Sequence, residues 1–149
     1  MGLDFRTECS GCTHVSLPIF PDCFAPRNAA NSATGGGMAT SRNRTKWPIG
    51  GGAISIQPGW FPGHALALFY INMGYGNEPL NYSHSMVPVF QITGPNNVQY
   101  NGTFCLPQVP LPTGYTPKVG DNATIQVIET AQHGAALYNV GFDRSYVLC

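Results

Sequence analysis

The chain has few charged residues and no excess of either sign. Only 9% of its 149 residues are charged, and the formal net charge is zero, whereas an average soluble protein is about 25% charged. Nucleic-acid-binding proteins use a basic surface to neutralise phosphates, so the composition argues against a nucleic-acid partner. No apolar run reaches the roughly 18 residues of a membrane-spanning helix, and the sequence therefore predicts no transmembrane segment.

Several motifs of enzyme chemistry are also missing. The sequence has no G-x-S-x-G nucleophile motif. The triple glycine at 50–52 lacks the Lys-Ser/Thr of a phosphate-binding loop, and we interpret it as a β-bulge or a close backbone approach to Trp47. The acidic residues form no evident acid–base pair; they are Asp4, Glu8, Asp22, Glu78, Asp121, Glu129 and Asp143. The sequence alone thus predicts no catalytic residue.

Targeting signals are not evident at either end of the chain as printed. The first twenty residues contain neither the basic region nor the apolar region of a secretory signal, and Arg6 stands where an N-myristoylation motif requires Ser or Thr. Four N-x-S/T sequons are nevertheless present, against about one expected by chance. They lie at Asn43, Asn81, Asn101 and Asn122. This excess is typical of a secreted glycoprotein, and we expect an extracellular or cell-surface location.

The five cysteines form no recognisable framework. Cys9 and Cys12 have the spacing of half a zinc site or of a redox pair, but no second C-x-x-C and no βαβ pattern accompanies them. We therefore interpret them as part of a non-core segment. The remaining cysteines are Cys23, Cys105 and Cys149.

Glycine and proline are abundant, with 18 and 13 residues respectively, and they divide the chain into two parts. Residues 1–35 show no periodicity and are expected to form a loosely structured, non-core N-terminal segment. Residues 36–149 alternate turns with short apolar runs and no amphipathic helix, which predicts an all-β fold, a Greek-key β-sandwich, with a small β-barrel as the main alternative. The expected strands cover 53–57, 64–73, 86–92, 103–109, 123–130, 135–139 and 145–148.

Histidine is the residue type with the clearest potential for chemistry. His64, His84 and His133 lie in or beside turns at the ends of expected strands. Neutral imidazole is a common side-chain ligand for copper and zinc. Nothing in the spacing makes the three converge, so the spacing alone favours a surface or hydrogen-bonded histidine at each position over a metal ligand.

Four segments together add information: SRNRTKWPIGGGAISI, GTFCLPQVPLP, DNATIQVIE and HGAALYN. With His64 opening a strand, they resemble the fungal copper acquisition factor family, BIM1-like and also called X325, over residues 36–139. The resemblance implies an immunoglobulin-like sandwich, related to that of lytic polysaccharide monooxygenases, which holds one copper ion. It implies as ligands an amino-terminal histidine, a second histidine and an aspartate.

Within that resemblance, His64 matches the second histidine. The segment beginning at His14 resembles the opening of the mature family members, and no aspartate of this chain is assigned to the third position. His133 is a further candidate, since it lies close to the site in sequence order. A lone imidazole binds copper poorly, so we expect the chain as printed to bind Cu(II) weakly or not at all.

The resemblance implies a non-catalytic, secreted or cell-surface protein that binds copper in its acquisition or homeostasis. The implied partners are the copper ion and, as candidates, cell-wall polysaccharide or a membrane copper transporter. Two alternatives remain open. One is a copper-dependent polysaccharide monooxygenase, and the other is a metal-free secreted glycoprotein of the cell wall.

The resemblance stops between Asn139 and Val140, where the family continues with Cys-Ala-Asp and a last strand. We expect the tail 140–149 to be atypical, read from an unspliced intron, because valine codons begin with the GT that begins most introns. In the alternative, the tail is genuine, SYVL supplies the last strand and Cys149 pairs with Cys105.

Overall fold

The computed structural model describes residues 15–18, 44–76, 78–116, 118–140 and 145–148, which form strands and turns without a helix. The all-β prediction is confirmed. The strands are β1 (Val15–Pro18), β2 (Arg44–Trp47), β3 (Gly52–Gln57), β4 (Leu66–Tyr75), β5 (His84–Ser85), β6 (Phe90–Thr93), β7 (Phe104–Val109), β8 (Asn122–Ala131), β9 (Ala136–Val140) and β10 (Ser145–Leu148).

The strands form two sheets. The smaller sheet has the order β1-β3-β7, and the larger has the order β2-β10-β8-β4-β5, with β6 also paired to β4 and β9 to β8. β4 and β8 are the longest strands and pair antiparallel along their whole length, from Ala67 opposite Ala131 to Tyr75 opposite Ala123. This pair forms the centre of the larger sheet.

The core lies between the sheets. Directly opposed residues of β4 and β8 point to the same face, so Phe69, Ile71 and Met73 join Ile125 and Val127 in one buried layer. The smaller sheet covers this layer with Ile54, Ile56 and Val109, all completely buried. Packing of one apolar face on the other is the arrangement of a β-sandwich, and it supports the sandwich over the small barrel.

The predicted strands 53–57, 103–109, 123–130 and 135–139 correspond to β3, β7, β8 and β9 within a residue or two. Two predicted strand starts were wrong. β4 begins at Leu66, so His64 lies in the turn before it, and β6 begins at Phe90 because Pro88 has no N–H for the ladder. Strands β2 and β5 were not predicted; both are short, and β2 pairs with β10 at the far end of the chain.

Two predicted boundaries concern the ends of the chain. Within the segment expected to be irregular, residues 15–18 form β1, which pairs in parallel with β3; the rest of 1–43 lies outside the described residues. In the tail, residues 145–148 form β10, which pairs with β2 and β8. The SYVL strand of the alternative reading is therefore present, while the division at 35/36 and the origin of the tail stay predictions.

The part of the chain that the structure describes contains no helix with the length and hydropathy needed to cross a bilayer.

Candidate functional site

His64 is held in a tight turn between β3 and β4. The backbone amides of Gly63 and Ala65 on either side of it both donate to the carbonyl of Val98, each at 3.0 Å. Gly59 has a φ of 147° and lies against the imidazole, so that a Cβ there would be 3.3 Å from Nδ1. Glycine at 59 is required both by this conformation and by the close approach. The hydrogen bonds to Val98 therefore hold the backbone of the turn, and Gly59 confines the imidazole ring.

The His64 ring is paired with a carboxyl group from inside the sandwich. Nδ1 of His64 lies 2.6 Å from Oε1 of Glu129. His64 is 8% exposed and Glu129 is fully buried. The second oxygen, Oε2 of Glu129, has no hydrogen-bond partner among the described residues. A buried carboxyl group with one short hydrogen bond and one unpaired oxygen destabilises a fold. The pair is therefore a candidate for a functional role.

The alternation of β8 places Glu129 inside. It lies opposite Phe69 of β4, on the same face as Val127 and Ala131. That face is otherwise apolar at this end of the sheet. Sequence reasoning found no partner for Glu129, because its histidine lies 65 positions earlier in the chain. The sequence feature that could have identified Glu129 is a carboxyl residue at a strand position whose side chain points into the core.

Burial governs the electrostatics of the pair. It raises the pKa of Glu129 to about 8, since a carboxylate loses its hydration in the apolar interior. Burial also lowers the pKa of His64, and the charge of the nearby His133 lowers that pKa further. The imidazole is thus kept neutral, which is the form that coordinates a metal ion.

His133 lies on the turn between β8 and β9, next to His64 but in a different setting. It is exposed, and its Nε2 lies 3.0 Å from the accepting Oδ1 of Asn97. Gly63 approaches this ring closely as well; a Cβ at 63 would be 2.5 Å from Cδ2 of His133. The structure therefore brings His64 and His133 to the same end of the sandwich.

The surface at this end is aromatic and uncharged. Trp60 and Phe61 are 52% and 56% exposed, and Val98 is 40% exposed. The three loops that meet there, residues 58–65, 94–100 and 131–135, contain no Lys, Arg, Asp or Glu. We call this surface the histidine end.

His64 is suited to coordinate copper, but it supplies one ligand. With Nδ1 engaged by Glu129, Nε2 is the nitrogen left for a metal, and imidazole nitrogen suits copper. The described residues contain no group of three or more His, Cys, Asp or Glu side chains placed to hold a metal ion. β1 begins at Val15 opposite Ile54; His14 itself lies outside the described residues, and its role as a ligand stays a prediction.

His84 is at the other end of the sandwich. It pairs with Met73 near the end of β4, and its ring is 4.4 Å from that of Tyr75, which stacks at 4.0 Å on Tyr115. The structure does not bring His84 to His64.

The predicted modification sites are distributed over the described surface. Asn81 and Asn101 are exposed, and Asn81 Oδ1 accepts a 2.7 Å hydrogen bond from the hydroxyl of Ser83 in its own sequon. Asn122 is half-buried at the start of β8, and Asn43 is outside the described residues. Cys105 has no disulfide partner among the residues that the structure describes, and Cys149 is not one of them. Glycosylation and the Cys105–Cys149 pairing stay predictions.

Comparison with known proteins places this arrangement in a family. The family model described as copper acquisition factor BIM1-like matches residues 14–140. The chain is 71% identical over 104 residues to lytic polysaccharide monooxygenase-like protein X325 of Aspergillus fumigatus. This alignment covers 70% of this chain and 44% of that protein. It is 58% identical over 109 residues to lytic polysaccharide monooxygenase-like protein ham-7 of Neurospora crassa, covering 70% of this chain and 48% of that protein.

The chain thus spans less than half the length of the curated relatives it matches. No solved structure matches it. The family model covers both strands of the central pair and both histidines of the histidine end. This chain belongs to the copper acquisition factor BIM1-like family.

Proposed function

We propose that this protein binds copper at the cell surface or outside the cell, as a non-catalytic component of copper acquisition or homeostasis. The observation that carries the proposal is the buried His64–Glu129 pair at the end of the sandwich. It leaves one imidazole nitrogen, Nε2, for a metal. The family description names copper acquisition.

The chain's own residues supply the first part of such a site. Burial and the neighbouring His133 lower the pKa of His64, which favours the neutral imidazole, the form that coordinates a metal ion. Copper is the cargo in this proposal. Tight retention requires further ligands, and the candidate among the residues of this chain is His14.

Copper titration of the full chain tests the proposal. Wild-type protein and a His64→Ala variant are titrated with Cu(II) while the copper electron paramagnetic resonance spectrum is recorded. A His84→Ala variant is the matched control, because it removes a histidine from the other end of the sandwich. We expect nitrogen coordination in the wild type and the control, and its loss in His64→Ala. Equal binding by all three proteins, or no binding by any, would overturn the proposal.

A polysaccharide monooxygenase is the second candidate, favoured by the names of the relatives and by the exposed Trp60 and Phe61 beside His64. Aromatic rings of this kind are able to pack on a polymer surface. The two functions separate when the copper-loaded protein is incubated with a reductant and a cell-wall polysaccharide. The proposed function predicts no oxidised sugar ends; their copper-dependent formation would establish the enzyme instead.

A further inference from the structure

We infer that Glu129 is a positioning residue, which holds His64 so that Nε2, and not Nδ1, is the nitrogen presented to the metal. This inference rests on the proposed function and assigns a role within it. The chain's resemblance to its family singles out His64 but attaches no role to Glu129.

Geometry carries the inference. An imidazole has two nitrogens, and the one that is hydrogen-bonded determines which is left for a metal. Here Oε1 of Glu129 is 2.6 Å from Nδ1, and Gly59 lies against the same edge of the ring. Binding of a cation at Nε2 requires the remaining ring proton to sit on Nδ1, where Oε1 accepts it.

The environment supports a functional role over a structural one. Glu129 lies opposite Phe69 in the buried layer of the larger sheet, where an apolar residue of similar size would pack without the cost of burying a carboxyl group. Its Oε2 has no partner among the described residues, so the side chain makes one hydrogen bond, to His64. A group that only stabilised the fold would be expected to satisfy both oxygens.

Two variants and a control test the inference in the full chain. Glu129→Met keeps the length of the side chain and removes the acceptor. Glu129→Gln keeps a carbonyl oxygen that accepts from Nδ1–H and removes the charge. Glu78→Gln makes the same chemical change at an exposed position and is the matched control. Thermal unfolding of each variant establishes that it is folded.

The first readout needs no metal. Nitrogen-15 NMR of the histidine rings, recorded over a series of pH values, reports the tautomer of His64. We expect the Nδ1–H tautomer in the wild type, Glu129→Gln and Glu78→Gln, and a loss of this preference in Glu129→Met. The second readout is the Cu(II) affinity, which should fall about 10- to 100-fold in Glu129→Met and less than tenfold in Glu129→Gln.

The outcomes separate the inference from the function on which it rests. A Glu129→Met variant that keeps the Nδ1–H tautomer and the wild-type copper affinity overturns the inference. If that variant does not fold, Glu129→Gln decides: because its NH2 is able to donate to Nδ1, a switch of its His64 to the Nε2–H tautomer with an unchanged copper affinity overturns the inference. The expected tautomers without copper binding by any variant support the positioning of His64 and overturn the proposed function alone.

Discussion

The two ends of the sandwich each hold a histidine beside aromatic side chains, yet they differ in where their carboxylates lie. At the histidine end, the carboxyl of Glu129 is in the core, and among the described residues its hydrogen-bond partner is the ring of His64. At the opposite end, the carboxylate of Asp121 is at the surface and accepts from the Tyr115 hydroxyl and the Lys118 amide. A surface carboxylate that accepts two hydrogen bonds from its own loop is a common feature of turns.

The same fold therefore has a carboxylate in an ordinary loop at one end and a carboxyl group paired with the proposed metal ligand at the other. The ring of His84 lies tilted against that of Tyr75, and its Nδ1 has no hydrogen-bond partner among the described residues. His64 has a dedicated partner at the same ring position, at the cost of a buried carboxyl group. Groups with perturbed pKa values of this kind concentrate at functional sites.

The largest expected effect comes from adding a methyl group at matched places on the two ends. In Gly94→Ala, the new Cβ would lie 2.5 Å from the carbonyl oxygen of Ala65; in Gly74→Ala it would lie 2.7 Å from the carbonyl oxygen of Asn81. Each substitution should destabilise the fold by about 1–3 kcal/mol, because backbone must shift. Urea unfolding measures this. Copper affinity should fall only in Gly94→Ala, since Ala65 adjoins His64; an equal fall in both would contradict the assignment of the site to one end.

The next effect is the dependence of stability on pH. Burial raises the pKa of Glu129 from 4.5 to about 8, so between these values the unfolded chain has released a proton that the folded protein retains, and stability falls as pH rises. His64 has a lowered pKa and acts oppositely, but only below its ordinary value of 6.5.

The fall should therefore be clearest between pH 6.5 and 8, where it amounts to about 2 kcal/mol. Unfolding curves at several pH values measure it. The Glu129→Gln variant, which has no titrating group at this position, should lose the fall, whereas Asp121→Asn at the other end should retain it. A wild type whose stability is constant over this interval would contradict the buried carboxyl.

The smallest expected effect belongs to His133→Ala. The ring is exposed and makes one side-chain bond, to Asn97, so its removal should change stability by less than about 0.5 kcal/mol. Copper affinity should fall less than tenfold, because His133 is a neighbour of the proposed ligand. NMR titration should give a higher pKa for His64, since the charge of His133 lowers it. His84→Ala is the control and should leave the titration of His64 unchanged; complete loss of copper binding in His133→Ala would make His133 a ligand.

Particular elements illustrate what sequence reasoning could reach. The run ATIQVIET predicted β8 because β-branched residues fit a pleated, half-buried strand, and AISIQ, ended by Pro58-Gly59, predicted β3. The start of β4 was wrong by two residues, since the tight turn that holds His64 depends on the carbonyl of Val98, thirty-odd positions along the chain. Strand β2 was missed because it pairs with β10 at the far end of the chain.

The sequence by itself determined the all-β class, most strands of the central sheet, the family and the choice of His64 as the candidate ligand. Local alternation and short motifs carry that information, because side-chain period and turn residues act within a few positions. Only the tertiary structure decided that Glu129 meets His64, that His133 adjoins them and that His84 lies apart. These placements follow from the antiparallel register of β4 and β8. That register brings His64, just before β4, to Glu129, 65 positions later in the chain, and no local pattern encodes it.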